Sequence, residues 1–167
     1  MNTNKQFTEL NRFQQLELIG RTGLVEAFPN RDFQFTTGEY DAYDAYIIED
    51  FKISLFEIKI RNASYDDYML ELKKLKALLK IREEFYKKGY ITVNIYYINF
   101  TPEGVYVWDL DRAITNLKKD ITRAAKTTAE SSNKVIKSVF FLPTNRAYYV
   151  DYKINKEAIK TKLMANE

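Results

Sequence analysis

The segment from Tyr40 to Ile60, led by Glu39, holds two runs crowded with aromatic and β-branched residues, separated by the polar stretch Glu49, Asp50, Phe51, Lys52. That is the pattern of two strands joined by a short turn. A turn closed symmetrically about Asp50 and Phe51 pairs residues whose numbers sum to 101, so Asp44 faces Glu57, and Lys59 lies two residues further along the same face. The opposite face carries Tyr43, Ala45 and Ile47 against Phe56, Ile58 and Ile60, a core face. A slip by one residue would bury the charges, so the register is tightly specified. Opposed carboxylates on paired strands repel by a few tenths to about 1 kcal/mol, and a divalent cation between them would relieve that repulsion.

The chain contains neither histidine nor cysteine. This removes imidazole bases, Ser-His and Cys-His nucleophile systems, thiolate or imidazole zinc sites and disulfides. Hydrolytic chemistry, if present, must run on carboxylates, lysine and a hard metal ion. With 46% hydrophobic and 29% charged residues the chain is expected to fold, and a net charge of +3 permits a polyanionic partner without arguing for one. The 167 residues predict a single domain over 1–167, with a core of about 4–127 and a C-terminal elaboration of about 128–167. MNTNKQFTEL lacks an apolar stretch of signal-peptide length, and no run approaches the ~20 apolar residues of a membrane span. A cytoplasmic protein with no membrane partner is expected.

Apolar spacing predicts a first helix from about Asn4 to Ile19, with Gly20 as its stop. Gly23 to Phe28 reads equally as helix or strand; Pro29-Asn30 turns the chain, Phe33 to Thr36 alternates as a strand, and Gly38 allows the bend into the hairpin. Ser64, with Asp67 three residues on, predicts a helix from Ser64 to about Lys88 ended by Gly89. Tyr65, Tyr68, Met69, Leu72, Leu75 and Leu79 form its inner arc, and Lys73, Lys76, Lys80 and Lys87 a stripe beside it. Ile91 to Phe100 and Val105 to Trp108 read as strands around the turn Thr101 to Gly104, and the lone tryptophan, Trp108, as a core residue. A third helix from Asp111 to about Thr127, a loop over Glu130 to Asn133, a hairpin of Val135 to Leu142 with Ala147 to Tyr152, and a last helix from Asn155 complete the reading.

Asp44 followed thirteen positions later by Glu57-Ile58-Lys59 resembles the D…(E/D)xK signature of the PD-(D/E)XK nuclease superfamily, which includes type II restriction enzymes and archaeal Holliday-junction resolvases. Tyr43 stands where the eponymous proline would be. The resemblance spans about Thr8 to Leu110 in element order and is specific over Asp44 to Lys59. It implies an α/β, restriction-endonuclease-like αβββαβ core with a mixed central sheet of about five strands flanked by helices, followed by the C-terminal β-hairpin and helix.

The resemblance implies metal-dependent hydrolysis of DNA phosphodiester bonds. Asp44 and Glu57, with the Ile58 carbonyl, would hold Mg²⁺ or Mn²⁺, and Lys59 would orient or deprotonate water or stabilise the phosphoryl oxygens. Family members often draw a further acid from the first helix; Glu17 matches that position, with Glu9 and Glu26 as rivals. Asp41 is a weaker candidate ligand. Arg61, Lys73, Lys76 and Lys80 would contact DNA phosphates, although a lysine stripe on an amphipathic helix equally serves as a solvated flank. Cutting both strands would require a homodimer. The alternative is an inactive nuclease-like domain acting as a DNA-binding or structural, assembly protein, expected to tolerate Asp44→Asn and Glu57→Gln.

Overall fold

A computed structural model describes residues 6–37, 41–125 and 134–165. Its centre is the expected hairpin. Strands β2 (Ala45–Glu49) and β3 (Lys52–Ile60) pair antiparallel with Ala45 opposite Phe56 and Glu49 opposite Lys52, the register read from the sequence. Asp50 turns the corner at φ 51°, a left-handed conformation that aspartate tolerates better than most residues.

Strand β1 (Gln34–Phe35) adds antiparallel to β2, and strand β5 (Thr92–Phe100) adds parallel to β3, placing Glu57 beside Tyr97 and Lys59 beside Asn99. Strands β6 (Val105–Asp109) and β9 (Tyr148–Val150) extend the sheet antiparallel, in the order β1-β2-β3-β5-β6-β9. The fold is therefore the α/β class with a mixed central sheet, of six strands where about five were expected. A parallel step between β3 and β5 requires a crossover, which helix α2 (Leu72–Lys87) supplies before Gly89, at φ 96°, ends it.

Several boundaries differ from the sequence reading. The first helix is a short 3-10 turn (Phe7–Glu9) followed by α1 (Arg12–Ala27), whose cap Asn11 accepts from the Gln14 N–H. Helix α1 passes through Gly20 and Gly23 and takes in the ambiguous segment. Gly20 is an approach point: a Cβ there would stand 3.2 Å from Ile58 Cγ2, so the glycine lets α1 sit close on β3. Asn4 and the Gly38 bend fall outside the described residues.

The larger correction concerns residues 64–71. Strand β4 (Asp67–Glu71) occupies the predicted first turns of the second helix, with Tyr68 and Leu70 buried between more accessible neighbours, the period of two that marks a strand. Glu71, not Ser64, precedes α2. Strand β4 belongs to a second sheet of order β4-β8-β7, formed with β8 (Lys134–Pro143) and β7 (Asp120–Ala125). The predicted third helix shrinks to α3 (Leu110–Ala113), capped by Asp109, because Asn116 adopts φ 62° and turns the chain toward β7. The predicted C-terminal hairpin is not one: β8 pairs with β4 and β7, while β9 joins β6 across the 3-10 turn Thr144–Arg146. The end of the predicted third helix (126–127) and the loop over 130–133 lie outside the described residues. Helix α4 (Lys156–Ala165) is present as expected.

Both faces of the main sheet are covered, so the hairpin has no solvent face over most of its length. Ile53, Leu55, Val93, Ile95 and Trp108 pack with Leu75 and Leu78 of α2 and with Tyr68 and Leu70 of β4. Ala45, Phe56, Ile58, Ile98 and Phe100 pack with Leu24 of α1. Trp108 is fully buried and donates to the Pro143 carbonyl, a core role. Among the described residues no helix is long and apolar enough to cross a membrane.

Candidate active site

The polar residues of β3 lie at the end of a buried face. Odd-numbered side chains run Ile53, Leu55, Glu57, Lys59 and then Arg61 just beyond the strand, so a hydrophobic face turns charged from Glu57 on, just past the last β2 pair, Ala45 with Phe56. Glu57 is only 1% exposed and needs partners to be tolerated there. Its Oε1 accepts from Lys59 Nζ at 2.5 Å and its Oε2 from Lys74 Nζ at 3.1 Å. Lys74 also donates to the Ala42 carbonyl at 3.4 Å.

Asp44 precedes β2 by one residue and holds β3 by two bonds. Its N–H donates to the Phe56 carbonyl at 2.8 Å, and its Oδ2 accepts from the Ile58 N–H at 2.6 Å. A strand residue turns its N–H and C=O toward the same neighbour, so the Ile58 carbonyl is directed to this edge as well. Burial, and then the nearby Glu57 charge, push the Asp44 carboxyl up to about 6 against the pull of Lys59, the Ile58 N–H and Lys74. Burial acts to lower the Lys59 pKa, but Glu57, Asp44 and Tyr97 together outweigh it and keep the ammonium protonated beyond its usual range. A group held in that state is an electrostatic donor and is unsuited to removing a proton.

Asp44, Ile58, Lys59 and Arg61 line one cleft with Phe13, Leu16, Glu17 and Gly20 of α1, enclosing a cavity of about 80 Å³. That is room for a few waters or a hydrated ion, and too little for a nucleobase. Of the three first-helix acids, Glu17 alone lines this cleft, where it pairs with the buried Arg21. Glu9 closes the capping box of the 3-10 turn, and Glu26 accepts from Tyr152 and Lys162. Asp41 lines a separate hollow with Tyr43, Tyr46 and Phe85.

Arg61 is fixed from β5: its Nε donates to Asn99 Oδ1 at 2.6 Å and one terminal nitrogen to the Tyr97 hydroxyl at 3.0 Å, while Tyr97 donates onward to the Met69 carbonyl. Lys73 and Lys76 stand apart from the carboxylates, lining a different cleft with Ile136, Lys137 and Ser138 of β8; Lys80 is exposed further along α2. The lysine of α2 that does reach the carboxylates, Lys74, was missed. Lys74 precedes the fully buried Leu78 by one helical turn and so points inward, a signal readable only once the buried face of α2 is known. Tyr97 and Asn99 were likewise legible only once β5 was placed parallel to β3.

No protein-family model matches the chain, and no curated protein matches it. Among solved structures the chain is similar to Hjc, a Holliday junction resolvase from the archaeal hyperthermophile Archaeoglobus fulgidus, over 83% of this chain and 98% of that one, at 12% identity and a TM-score of 0.48.

Among the described residues, no three Asp, Glu, His or Cys side chains are grouped to hold a metal by themselves. The available donors are two carboxylates and a backbone carbonyl. All are hard oxygens, the set suited to Mg²⁺ or Mn²⁺ with water completing the shell. Burial, and after it the neighbouring Glu57 charge, raise the Asp44 pKa despite the two lysines, a cost that a bound cation would offset. The geometry accommodates such an ion provided Glu57 releases one of its ammonium partners.

Proposed function

We propose that this protein is a divalent-metal-dependent endonuclease that hydrolyses DNA phosphodiester bonds at the Asp44, Glu57, Lys59 cluster. The observation that carries the reading is the meeting of Asp44, Ile58 and Lys59 at one small cleft, with the buried Glu57 bonded to Lys59. Asp44, Glu57 and the Ile58 carbonyl would hold Mg²⁺ or Mn²⁺, which would supply positive charge to the phosphate and a more acidic water. Lys59 keeps its proton and faces the developing negative charge as a donor. Arg61, its guanidinium anchored by Asn99 and Tyr97, presents its remaining N–H groups to a phosphate without having to be ordered on binding. Glu17 sits on the α1 wall of the cleft, where it would hold a water or a second ion once free of Arg21. Lys73, Lys76 and Lys80 would contact the DNA backbone away from the cut, and double-strand cutting would need a homodimer.

The pairing of both Glu57 oxygens with lysines favours a second reading, an inactive nuclease-like domain that binds DNA or assembles with other proteins. Mn²⁺ calorimetry on the wild type and Glu57→Gln, beside a cleavage assay on a panel of DNA structures, separates the two. Binding lost in the variant, with Mn²⁺-dependent nicking by the wild type, is expected. A wild type that binds no Mn²⁺ sinks the catalytic reading.

A further inference from the structure

Glu57 is served by two ammonium groups that differ in kind. Lys59 comes from the same strand two residues on and bonds Oε1 at 2.5 Å. Lys74 reaches across from the first turn of α2, bonds Oε2 at 3.1 Å, shares its donors with the Ala42 carbonyl, and keeps a side chain 31% exposed. One carboxylate needs one counter-charge. The second is in excess for Glu57 alone, whereas Asp44, two residues beyond Ala42, forms no salt bridge among the described residues.

The geometry points to Lys74 as a displaceable counter-ion, an inference that rests on the metal site proposed above. While no divalent cation is bound, Lys74 neutralises Glu57 Oε2 and spans the gap between α2 and the segment leading to Asp44. When a cation binds, Lys74 yields Oε2 and moves toward solvent on its four-carbon stem, so that the ion replaces its charge rather than adding to it. Lys59 makes the shorter bond, 2.5 Å against 3.1 Å, and among the described residues shares no donor with a backbone carbonyl, so Lys74 is the partner that yields. Lys74 is thus the residue that sets how strongly metal must compete to enter, and its released ammonium is then placed at the rim, where a phosphate would arrive.

The test is Mn²⁺ titration calorimetry on the metal-free wild type, Lys74→Met and, as a control on the same helix, the exposed Lys87→Met, each checked for folding by circular dichroism, with thermal midpoints taken in chelator. Lys74→Met is expected to bind Mn²⁺ about tenfold more tightly and to melt lower than wild type in chelator, with the gap narrowed by saturating Mn²⁺; Lys87→Met should match wild type. Should Lys74→Met fail to fold, Lys74→Gln, which keeps a donor without the charge, is expected to show the same tightening. Unchanged or weaker binding on removal of the charge overturns the counter-ion role while leaving the metal site standing. No Mn²⁺ binding by wild type or either variant overturns the metal site itself.

Discussion

The Asp44 carboxylate accepts the Ile58 backbone N–H at 2.6 Å, so a side chain fills the ladder position that the backbone of β2 leaves empty. The bond holds Asp44 close to Glu57 whether or not either is neutralised, and the acid's raised pKa follows from burial first and then from that proximity. In the metal-free protein its folded pKa of about 6 lies above the ordinary carboxylate value of 3.8. A raised pKa means the folded state holds the proton more tightly. The stabilisation is complete below the unfolded value and is lost as pH rises through about 6. Wild type in chelator should therefore be more stable at pH 4.5 than at pH 7.5 on this group's account, by no more than about 3 kcal/mol. Asp44→Asn should remove that dependence and be the more stable protein at pH 7.5. Urea midpoints at both pH values check it; parallel profiles for the two proteins would rule it out.

Glu57→Gln should behave in the opposite way. It leaves Lys59 and Lys74 beside one another with no carboxylate between them. Both ammoniums are about a third exposed (34% and 31%), so the loss should be about 2 kcal/mol, below that of a fully buried pair. On this account an inactive domain would tolerate the substitution at Asp44 but not the one at Glu57, where the sequence-based expectation is tolerance of both. A thermal midpoint for Glu57→Gln at or above wild type would contradict this account.

Lys59→Met should retain Mn²⁺ binding and lose DNA cleavage by at least about 100-fold, the usual scale for removing a donor aimed at developing charge. In the metal-free protein burial is outweighed by Glu57, Asp44 and Tyr97, which hold the Lys59 ammonium charged; if it acts as a donor in the metal-loaded protein too, the cleavage rate should show no ionisation attributable to it between pH 6 and 9. Single-turnover cleavage across that range measures both. A variant that cleaves at near wild-type rate would remove Lys59 from the chemistry.

Lys76→Ala should weaken DNA binding similarly for every sequence tested and reduce the slope of log affinity against log salt by about 1. Fluorescence anisotropy at three salt concentrations reads that slope. A slope equal to wild type would assign Lys76 to the solvated flank of α2.

Gly20→Val should destabilise the fold by about 2 kcal/mol through overpacking against Ile58 Cγ2, already 3.2 Å from the Cβ position. The same displacement of α1 would widen the cleft between Glu17 and Asp44. Chemical denaturation and Mn²⁺ affinity should fall together; a neutral effect on both would show that α1 has slack.

The hairpin and its register were legible because a local turn and a strict alternation specify both at once. The coverage of its second face was not, since it depends on α2 and β4 arriving from beyond the hairpin. Residues 64–71 carry a helix-like start at Ser64 and apolar residues that satisfy either period; the strand is decided by β8, some seventy residues later. Non-local pairing of that kind leaves little trace in a short window. Lys74 was hidden for a related reason: a lysine one turn before a buried leucine reads as an error in an apolar face until the buried glutamate it answers is placed. Glu17, Asp44, Lys59 and Arg61, by contrast, were each singled out from spacing and family resemblance and line one cleft, and Glu57, singled out with them, is buried and bonded to Lys59.

The parallel pairing of β3 with β5 sets residue 52 beside residue 92 and residue 60 beside residue 100. During synthesis, then, Glu57 and Lys59 leave the ribosome forty residues ahead of the strand that shelters them. Until β5 docks, the acid is hydrated and the arginine two residues beyond Lys59 lacks its Tyr97 and Asn99 anchors. A nascent or partly folded chain accordingly carries the reactive groups without their arrangement. The arrangement on which the proposed hydrolysis would depend is complete only once β5 is in place.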